Sequence, residues 1–388
     1  MLRLDKNLLQ HTASYLQIPE ATALRATCQT IFDARPIRGV KHLRLSSGIT
    51  KTLAQELFKL ESMEVDGIPG PIVKAELAMA LLSVKDVRFE RPIRPRAEYR
   101  AVEGLPYLEK FVGRIRPPDA KEFIETLVVS SPRLRIFDVL FTQSCGHVMA
   151  LVPETAWPFL EELTIRGVQT KVAIPWRSGL RSVEYTGIAM NRPDRMMPNL
   201  STLIMVDDYI EAPLDTNFPG LRNLRGNVEG PLLEGVVMSL PEDMTSLHIS
   251  VKKTGAPTRA YMSFGGLRRI RKLHVGGFVF PMVTHLSNDI EEIDASVTWG
   301  AVEGLCEAIE NGKFRGLRKI RFRVYESENS TAKPCSSRFL ACLDLLISLE
   351  TANLTKFDRE ADQEANKKRR RKRPYVVRQS KASVTFDI

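Results

Sequence analysis

Residues 160–205 read LEELTIRGVQTKVAIPWRSGLRSVEYTGIAMNRPDRMMPNLSTLIM and contain one short pattern three times. The pattern is an apolar residue, any two residues, a second apolar residue, any one residue, and a third apolar residue. Its copies begin at Leu160, Leu180 and Leu200, so they recur every 20 residues. The last two apolar positions are two residues apart, and such side chains point to the same face of a β-strand. Each copy therefore predicts a short strand with one apolar face.

The same pattern recurs in both directions from this stretch. Thirteen copies align in the chain, and successive copies begin 20 to 27 residues apart. They begin at Val40, Leu60, Val84, Leu108, Leu134, Leu160, Leu180, Leu200, Leu221, Met244, Ile270, Ile290 and Leu317. The copy at Leu108 is blurred, and the copy at Leu221 has Gly226 in the third apolar place. A repeat of this size cannot bury its own apolar face, so the pattern predicts stacked repeats whose strands form one parallel sheet.

These copies resemble the leucine-rich-repeat family over about residues 40–326, because their length and their L-x-x-L-x-L core are those of that family. The predicted fold class is α/β, a leucine-rich-repeat solenoid with a curved parallel sheet and both helical and irregular return segments. Helical apolar spacing marks the return segments 51–60, 73–84, 120–129, 232–240 and 302–309. The Asn or Cys that usually follows the motif is mostly missing. The alternative architecture is an α/β domain with ordinary crossovers, whose helices would be longer than these connectors permit.

Residues 4–34, LDKNLLQHTASYLQIPEATALRATCQTIFDA, resemble an F-box, a compact helical module. The match rests on Leu4, Leu8, Leu9, Tyr15, Leu16, Leu24, Arg25 and Cys28. The resemblance implies that Leu4, Leu8, Leu9, Tyr15, Leu16, Leu24 and Cys28 bind the Skp-type adaptor of a cullin–RING ubiquitin ligase. It also implies that the repeats after it capture a protein substrate. The alternative is that residues 1–36 are an N-terminal helical cap of the solenoid.

The sequence predicts four segments. They are an F-box-like module or cap at 1–36, the repeat solenoid at 37–330, a C-terminal capping helix at 331–358 and a disordered basic tail at 359–388. The capping helix is expected over 336–354, where apolar residues recur on one side. No signal peptide and no apolar stretch of ~20 residues is found, so no membrane contact is predicted.

The chain carries a net charge of +10, and seven of its cations form one run in the tail. The run is Lys367, Lys368, Arg369, Arg370, Arg371, Lys372 and Arg373. It predicts a nuclear localisation signal bound by an import receptor. The alternative is non-specific binding to nucleic-acid phosphates. We therefore expect the nucleus as the main compartment and the cytoplasm as a second one.

The sequence contains no catalytic motif and no Cys/His spacing typical of zinc sites, so neither enzymatic activity nor a cofactor or metal is expected. The outward positions between the apolar strand residues are instead predicted to bind a protein partner. They include Arg44, Glu64, Arg88, Asp138, Thr164, Glu184, Arg225, His248, His274, Asp294 and Arg321. The later repeats are rich in Lys and Arg between Arg268 and Arg323, which predicts affinity for an acidic peptide or nucleic acid; scattered solvated charge is the alternative.

Overall fold

The structure is a computed structural model of the whole chain. It describes residues 41–45, 60–65, 84–93, 105–115, 120–141, 150–151, 156–167, 171–189, 192–211, 213–252, 260–276, 279–282, 285–325, 336–346, 348–357, 375–378 and 383–387. The F-box-like residues Leu4, Leu8, Leu9, Tyr15, Leu16, Leu24 and Cys28 lie outside these ranges, as does the basic run 367–373. The predictions made for them therefore stay predictions.

The chain divides into two compact units, and the first comprises residues 1–194. Its strands are β1 (His42–Leu45), β2 (Ser62–Val65), β3 (Asp86–Ile93), β4 (Lys110–Ile115), β5 (Ile136–Phe141), β6 (Ala150–Leu151), β7 (Glu162–Arg166), β8 (Lys171–Ala173), β9 (Ser182–Thr186) and β10 (Ile188–Ala189). Strands β1, β2, β3, β4, β5, β7 and β9 pair in that order, always in parallel. Helix α1 (Ala120–Ser130) returns from β4 to β5. The short strands β10, β8 and β6 form a second parallel sheet.

The second unit comprises residues 195–388. Its strands are β11 (Thr202–Tyr209), β12 (Asn223–Glu229), β13 (Ser246–Lys252), β14 (Ala260–Met262), β15 (Lys272–Gly276), β16 (Val279–Pro281), β17 (Glu292–Thr298), β18 (Lys319–Tyr325), β19 (Thr351–Phe357), β20 (Tyr375–Arg378) and β21 (Ser383–Asp387). Strands β11, β12, β13, β15, β17, β18, β19 and β21 pair in parallel in that order, and β20 pairs antiparallel with β21. The helices are α2 (Leu214–Asn217), α3 (Leu233–Met238), α4 (Trp299–Glu310) and α5 (Ser336–Asp344), with a 3₁₀ turn at Gly230–Leu232. In the ranges that the structure describes, each unit is thus α/β, with an open, largely parallel main sheet and few helices.

One backbone arrangement recurs at successive strands. The N–H of the first apolar residue of a repeat donates to the carbonyl three residues earlier, as from Leu160 to Trp157 and from Leu317 to Phe314. The residue after that apolar position then begins the ladder, because its carbonyl accepts two N–H groups from the next strand. The Arg271 carbonyl, for example, accepts from Glu291 and Glu292 at 2.7 and 2.9 Å. The repeating sequence therefore produces a repeating turn and a fixed register.

The core lies on the apolar face of the strands. The first apolar residues of the repeats from Leu60 to Leu317 are all fully buried, including Leu108 in the copy that is blurred in sequence. In the first unit, the rings of Phe111 and Phe137 stack at 5.9 Å, and Phe137 lies 4.7 Å from Trp157. Buried side chains of successive repeats thus touch one another, which is how repeats too small to fold alone become stable.

Two features of the C-terminal region differ from the sequence prediction. The predicted capping helix over 336–354 is shorter, because α5 ends at Asp344 and Thr351–Phe357 is a strand. Leu349 and Ala352 are buried, so these residues form one more copy of the repeat. The tail predicted to be disordered contains β20 and β21 among its described residues.

Replacing Phe137 with Ala should lower the free energy of unfolding by about 3–5 kcal/mol, because a fully buried ring would leave a cavity. Phe159→Ala removes the same atoms from a side chain that is 61% exposed and should cost under about 0.5 kcal/mol. Urea unfolding followed by circular dichroism measures both. Equal losses would contradict the assignment of Phe137 to the core.

Candidate functional site

A surface depression of about 340 Å³ lies on the outward face of β13, β15, β17 and β18 in the second unit. Side chains alternate along these strands, so the apolar residues Leu247, Leu273, Ile293 and Ile320 face the core. The residues between them face outward and align across the sheet in two rows. The lower row is Asn223, Ser246, Lys272, Glu292, Lys319 and Thr351, and the middle row is Arg225, His248, His274, Asp294 and Arg321. Most members of both rows line the depression.

Asp294 accepts hydrogen bonds from, or lies close to, three basic side chains. Its Oδ2 accepts from His274 Nδ1 at 3.0 Å and lies 3.5 Å from Arg321 Nη1, while its Oδ1 accepts from Arg323 Nη2 at 3.0 Å. Burial alone would raise the pKa of this carboxyl. The hydrogen bond from His274 and the charges of His274, Arg323 and Arg321 outweigh burial, so the pKa of Asp294 is lowered. Asp294 therefore stays ionised and has donors on both oxygens.

Glu292 holds the lower row together. Its Oε1 lies 3.2 Å from Lys272 Nζ and 3.3 Å from Lys319 Nζ, which come from the strands on either side. Burial alone would raise the pKa of Glu292. The hydrogen bonds from the two lysines have the opposite effect and, together with the lysine charges, outweigh burial, so the pKa of Glu292 is lowered. One carboxylate oxygen thus sits between two ammonium groups.

His248 stacks on His274, with ring centroids 3.7 Å apart and an angle of 19° between the planes. Burial is the largest cause that lowers the pKa of His248 to about 4, and the charges of His274 and Arg225 add to it. His248 is therefore neutral near pH 7, and it provides a flat polar wall at one end of the depression.

The cations that line the depression are more exposed to a ligand than its carboxylates are. The side chains of Lys272, Lys319 and Arg321 are 54%, 50% and 64% exposed, whereas those of Glu292 and Asp294 are 31% and 18% exposed. Three cations face two anions in the lining, and Arg323 adds a further positive charge beside it. The arrangement favours a negatively charged ligand.

Within each unit, the structure makes predicted partner-binding residues register neighbours. Arg225, His248, His274, Asp294 and Arg321 are register neighbours in the second unit. In the first unit Arg44, Glu64 and Arg88 are register neighbours, and Asp138, Thr164 and Glu184 likewise. Val112 separates these two triplets, and Asp138 pairs with Arg166 at 2.7 Å.

The basic cluster between Arg268 and Arg323 is divided by the fold. Arg271 and Arg318 lie in the turns before their strands, where they pair with Glu291 and Glu350. Arg269 pairs with Asp243. Only Lys272, Lys319, Arg321 and Arg323 belong to the outward face.

Sequence reasoning placed Glu292, Ser246 and Thr351 in no site. Ser246 and Glu292 did carry a signal, because each precedes a middle-row residue by two positions and so shares its face. Thr351 did not, because it lies in the stretch that was predicted to be the capping helix. The contact of Glu292 with two lysines depends on the register of three strands, which one strand's sequence does not specify.

Within the described ranges, no group of three or more His, Cys, Asp or Glu side chains could hold a metal ion. No helix in the part of the chain that the structure describes is long and apolar enough to cross a membrane. Neither a comparison with protein-family models nor one with curated proteins finds a match to this chain.

The low pKa of His248 predicts a pH-dependent stability. Below pH ~6.5 the unfolded chain takes up a proton on this imidazole, while the folded protein does so only near pH 4, so the free energy of unfolding falls as the pH falls between these values. His248→Gln should make the loss between pH 7 and pH 4.5 smaller, as measured by urea unfolding at both values. In NMR titrations, His274→Gln should raise the pKa of His248. An imidazole of His248 that titrates near 6.5 in the wild-type protein would contradict the stacked, buried position.

Proposed function

We propose that this chain is a non-enzymatic protein-interaction module, a leucine-rich-repeat solenoid whose outward strand face captures a partner protein. We further propose that it is a substrate-recognition subunit of a Skp–cullin–F-box type ubiquitin ligase. In this proposal the F-box-like residues 1–36 bind the Skp-type adaptor and the repeats hold the substrate.

The observation that carries the binding role is the alignment of charged side chains on the outward face of β12 to β18. Neighbouring strands hold these side chains ~4.8 Å apart. Each strand is held in place because its alternate residues are buried in the core. The ion pairs of Glu292 and Asp294 restrict the side chains further. A rigid surface of this kind loses little conformational entropy when a partner binds.

The ubiquitin-ligase role rests on the sequence resemblance of residues 4–34 and on the order of the segments. An adaptor-binding module followed by repeats is the arrangement of F-box proteins with leucine-rich repeats. In this proposal the repeats present the substrate to the ligase. Which substrate is bound depends on scattered outward side chains, and the fold alone does not determine it.

A second candidate is a nuclear leucine-rich-repeat scaffold that binds protein or RNA and has no part in ubiquitination. The basic run Lys367–Arg373 favours it, because a short K/R-rich segment is typical of nuclear localisation signals. The two candidates differ in whether residues 1–36 bind an adaptor.

Co-purification with a recombinant Skp-type adaptor tests the first candidate. The full chain should retain the adaptor, and Leu8→Ala with Leu9→Ala should lose it, since these residues supply apolar contact in the resembling module. Lys272→Ala with Lys319→Ala is the matched control and should retain the adaptor, because it alters only the strand face. Failure of the unaltered chain to bind any Skp-type adaptor would exclude the ligase role.

Deleting residues 1–36 separates the two candidates. For a ligase subunit, pull-down followed by mass spectrometry should lose the Skp adaptor and cullin and keep the partners held by the strand face. An interaction profile identical with and without residues 1–36 would instead support the scaffold.

A further inference from the structure

We propose that the depression between β13 and β18 is a binding site for an acidic peptide segment, whose carboxylates contact Lys272, Lys319 and Arg321. This inference rests on the proposed role of the strand face in partner capture and specifies the chemistry of what it captures. The three cations are half-exposed or more and line one depression, so they can approach the same ligand.

Glu292 indicates where a ligand carboxylate is accommodated. Its Oε1 contacts the ammonium groups of both Lys272 and Lys319, so the chain already places one carboxylate oxygen between these two cations. An incoming carboxylate competes with Glu292 for the ammonium groups of the same lysines. Glu292 therefore limits the affinity for anions and is not required for it.

Asp294 has a different part in the site. Its two oxygens hold His274, Arg321 and Arg323, and it is less exposed than Glu292. It is a positioning residue, because it fixes the direction of the Arg321 guanidinium, whose side chain is 64% exposed. Lys319 and Arg321 are two residues apart on β18, and alternate side chains of an extended peptide have the same spacing of ~6.6 Å. A peptide with acidic residues at i and i+2 therefore matches this pair.

The composition of the site favours a peptide over nucleic acid. Two carboxylates stand among its cations and would repel a continuous phosphate backbone. Among the described residues that line the depression there is no Phe, Tyr or Trp, and the two histidine rings there stack on each other, so these residues offer no free aromatic platform for bases. Side-chain carboxylates can instead approach each cation separately.

Fluorescence anisotropy with a fluorescein-labelled hexaglutamate peptide and the full chain tests the proposal. The peptide should bind, and raising the salt concentration should weaken binding. Replacing Lys272, Lys319 and Arg321 together with Ala should weaken binding by about tenfold, as expected for three partly exposed ion pairs. The control replaces Arg268, Lys313 and Arg315 with Ala, which removes the same charge from exposed turn positions and should change the affinity by less than about twofold.

The variant Glu292→Gln distinguishes competition with the ligand from a purely structural role of Glu292. The variant removes the competing carboxylate from Lys272 and Lys319, so it should bind hexaglutamate about two- to threefold more tightly. Thermal unfolding of each variant checks that it is folded. Unchanged or weaker binding by folded Glu292→Gln would contradict the assigned place of the ligand carboxylate.

Three other outcomes would overturn the inference. They are equal losses in the two triple variants, no binding of hexaglutamate at all, and tighter binding of a single-stranded RNA oligomer that is lost in the Lys272/Lys319/Arg321 variant. If hexaglutamate fails but the chain still captures a protein partner through the strand face, only this inference is wrong. If no protein partner is captured while hexaglutamate binds and the Lys272/Lys319/Arg321 variant weakens that binding, the proposed function is wrong and the anion site stands.

Discussion

The structure depends on the burial of an apolar face that a single repeat cannot cover. Each repeat contributes one short strand and a brief return, too little to enclose Leu, Ile or Phe side chains on its own. Stacking removes these side chains from water, and the first apolar residue of the repeats from Leu60 to Leu317 is fully buried. The chain is therefore forced into parallel strands with short connections. Among the described return segments, the one between β17 and β18 is long enough for the 12-residue helix Trp299–Glu310.

This constraint also determines which side chains lie on the outward face. Because alternate residues of a strand face opposite sides, fixing Leu273 and Ile293 in the core fixes Lys272, His274, Glu292 and Asp294 on the outside. The parallel register then places them beside their counterparts on the next strand. Charges that are 20 or more residues apart in sequence become ion-pair neighbours. The site is thus a consequence of the repeat, while its ligand preference depends on which outward residues occupy the rows.

Much of the fold could be predicted from the sequence, because apolar spacing reports which side chains are buried. The strands of the thirteen copies follow from that spacing, as do helices α1, α3 and α4 in the return segments. The short strands β6, β8, β10, β14 and β16 and the tail strands β20 and β21 were not predicted. The last repeat at Leu349 was missed, because Ala352 is a small apolar residue and the run before it has helical periodicity. The middle row could also be predicted, since alternation alone gives it. The stacking of His248 on His274 and the double contact of Glu292 could not, because they depend on side-chain conformations across several strands.

A distance between two outward residues of the middle row tests this account most directly. Nitroxide labels at Arg225→Cys and Arg321→Cys, in a chain whose own cysteines are replaced with Ala, report their separation by double electron–electron resonance. These residues lie four strand spacings apart, on β12 and β18, so the account predicts a narrow distribution centred near ~19 Å. The pair Arg88→Cys and Glu184→Cys, four spacings apart within the first unit, should give a similar value. Broad distributions, or separations unrelated to the number of strands between the labels, would contradict the stacked parallel sheet.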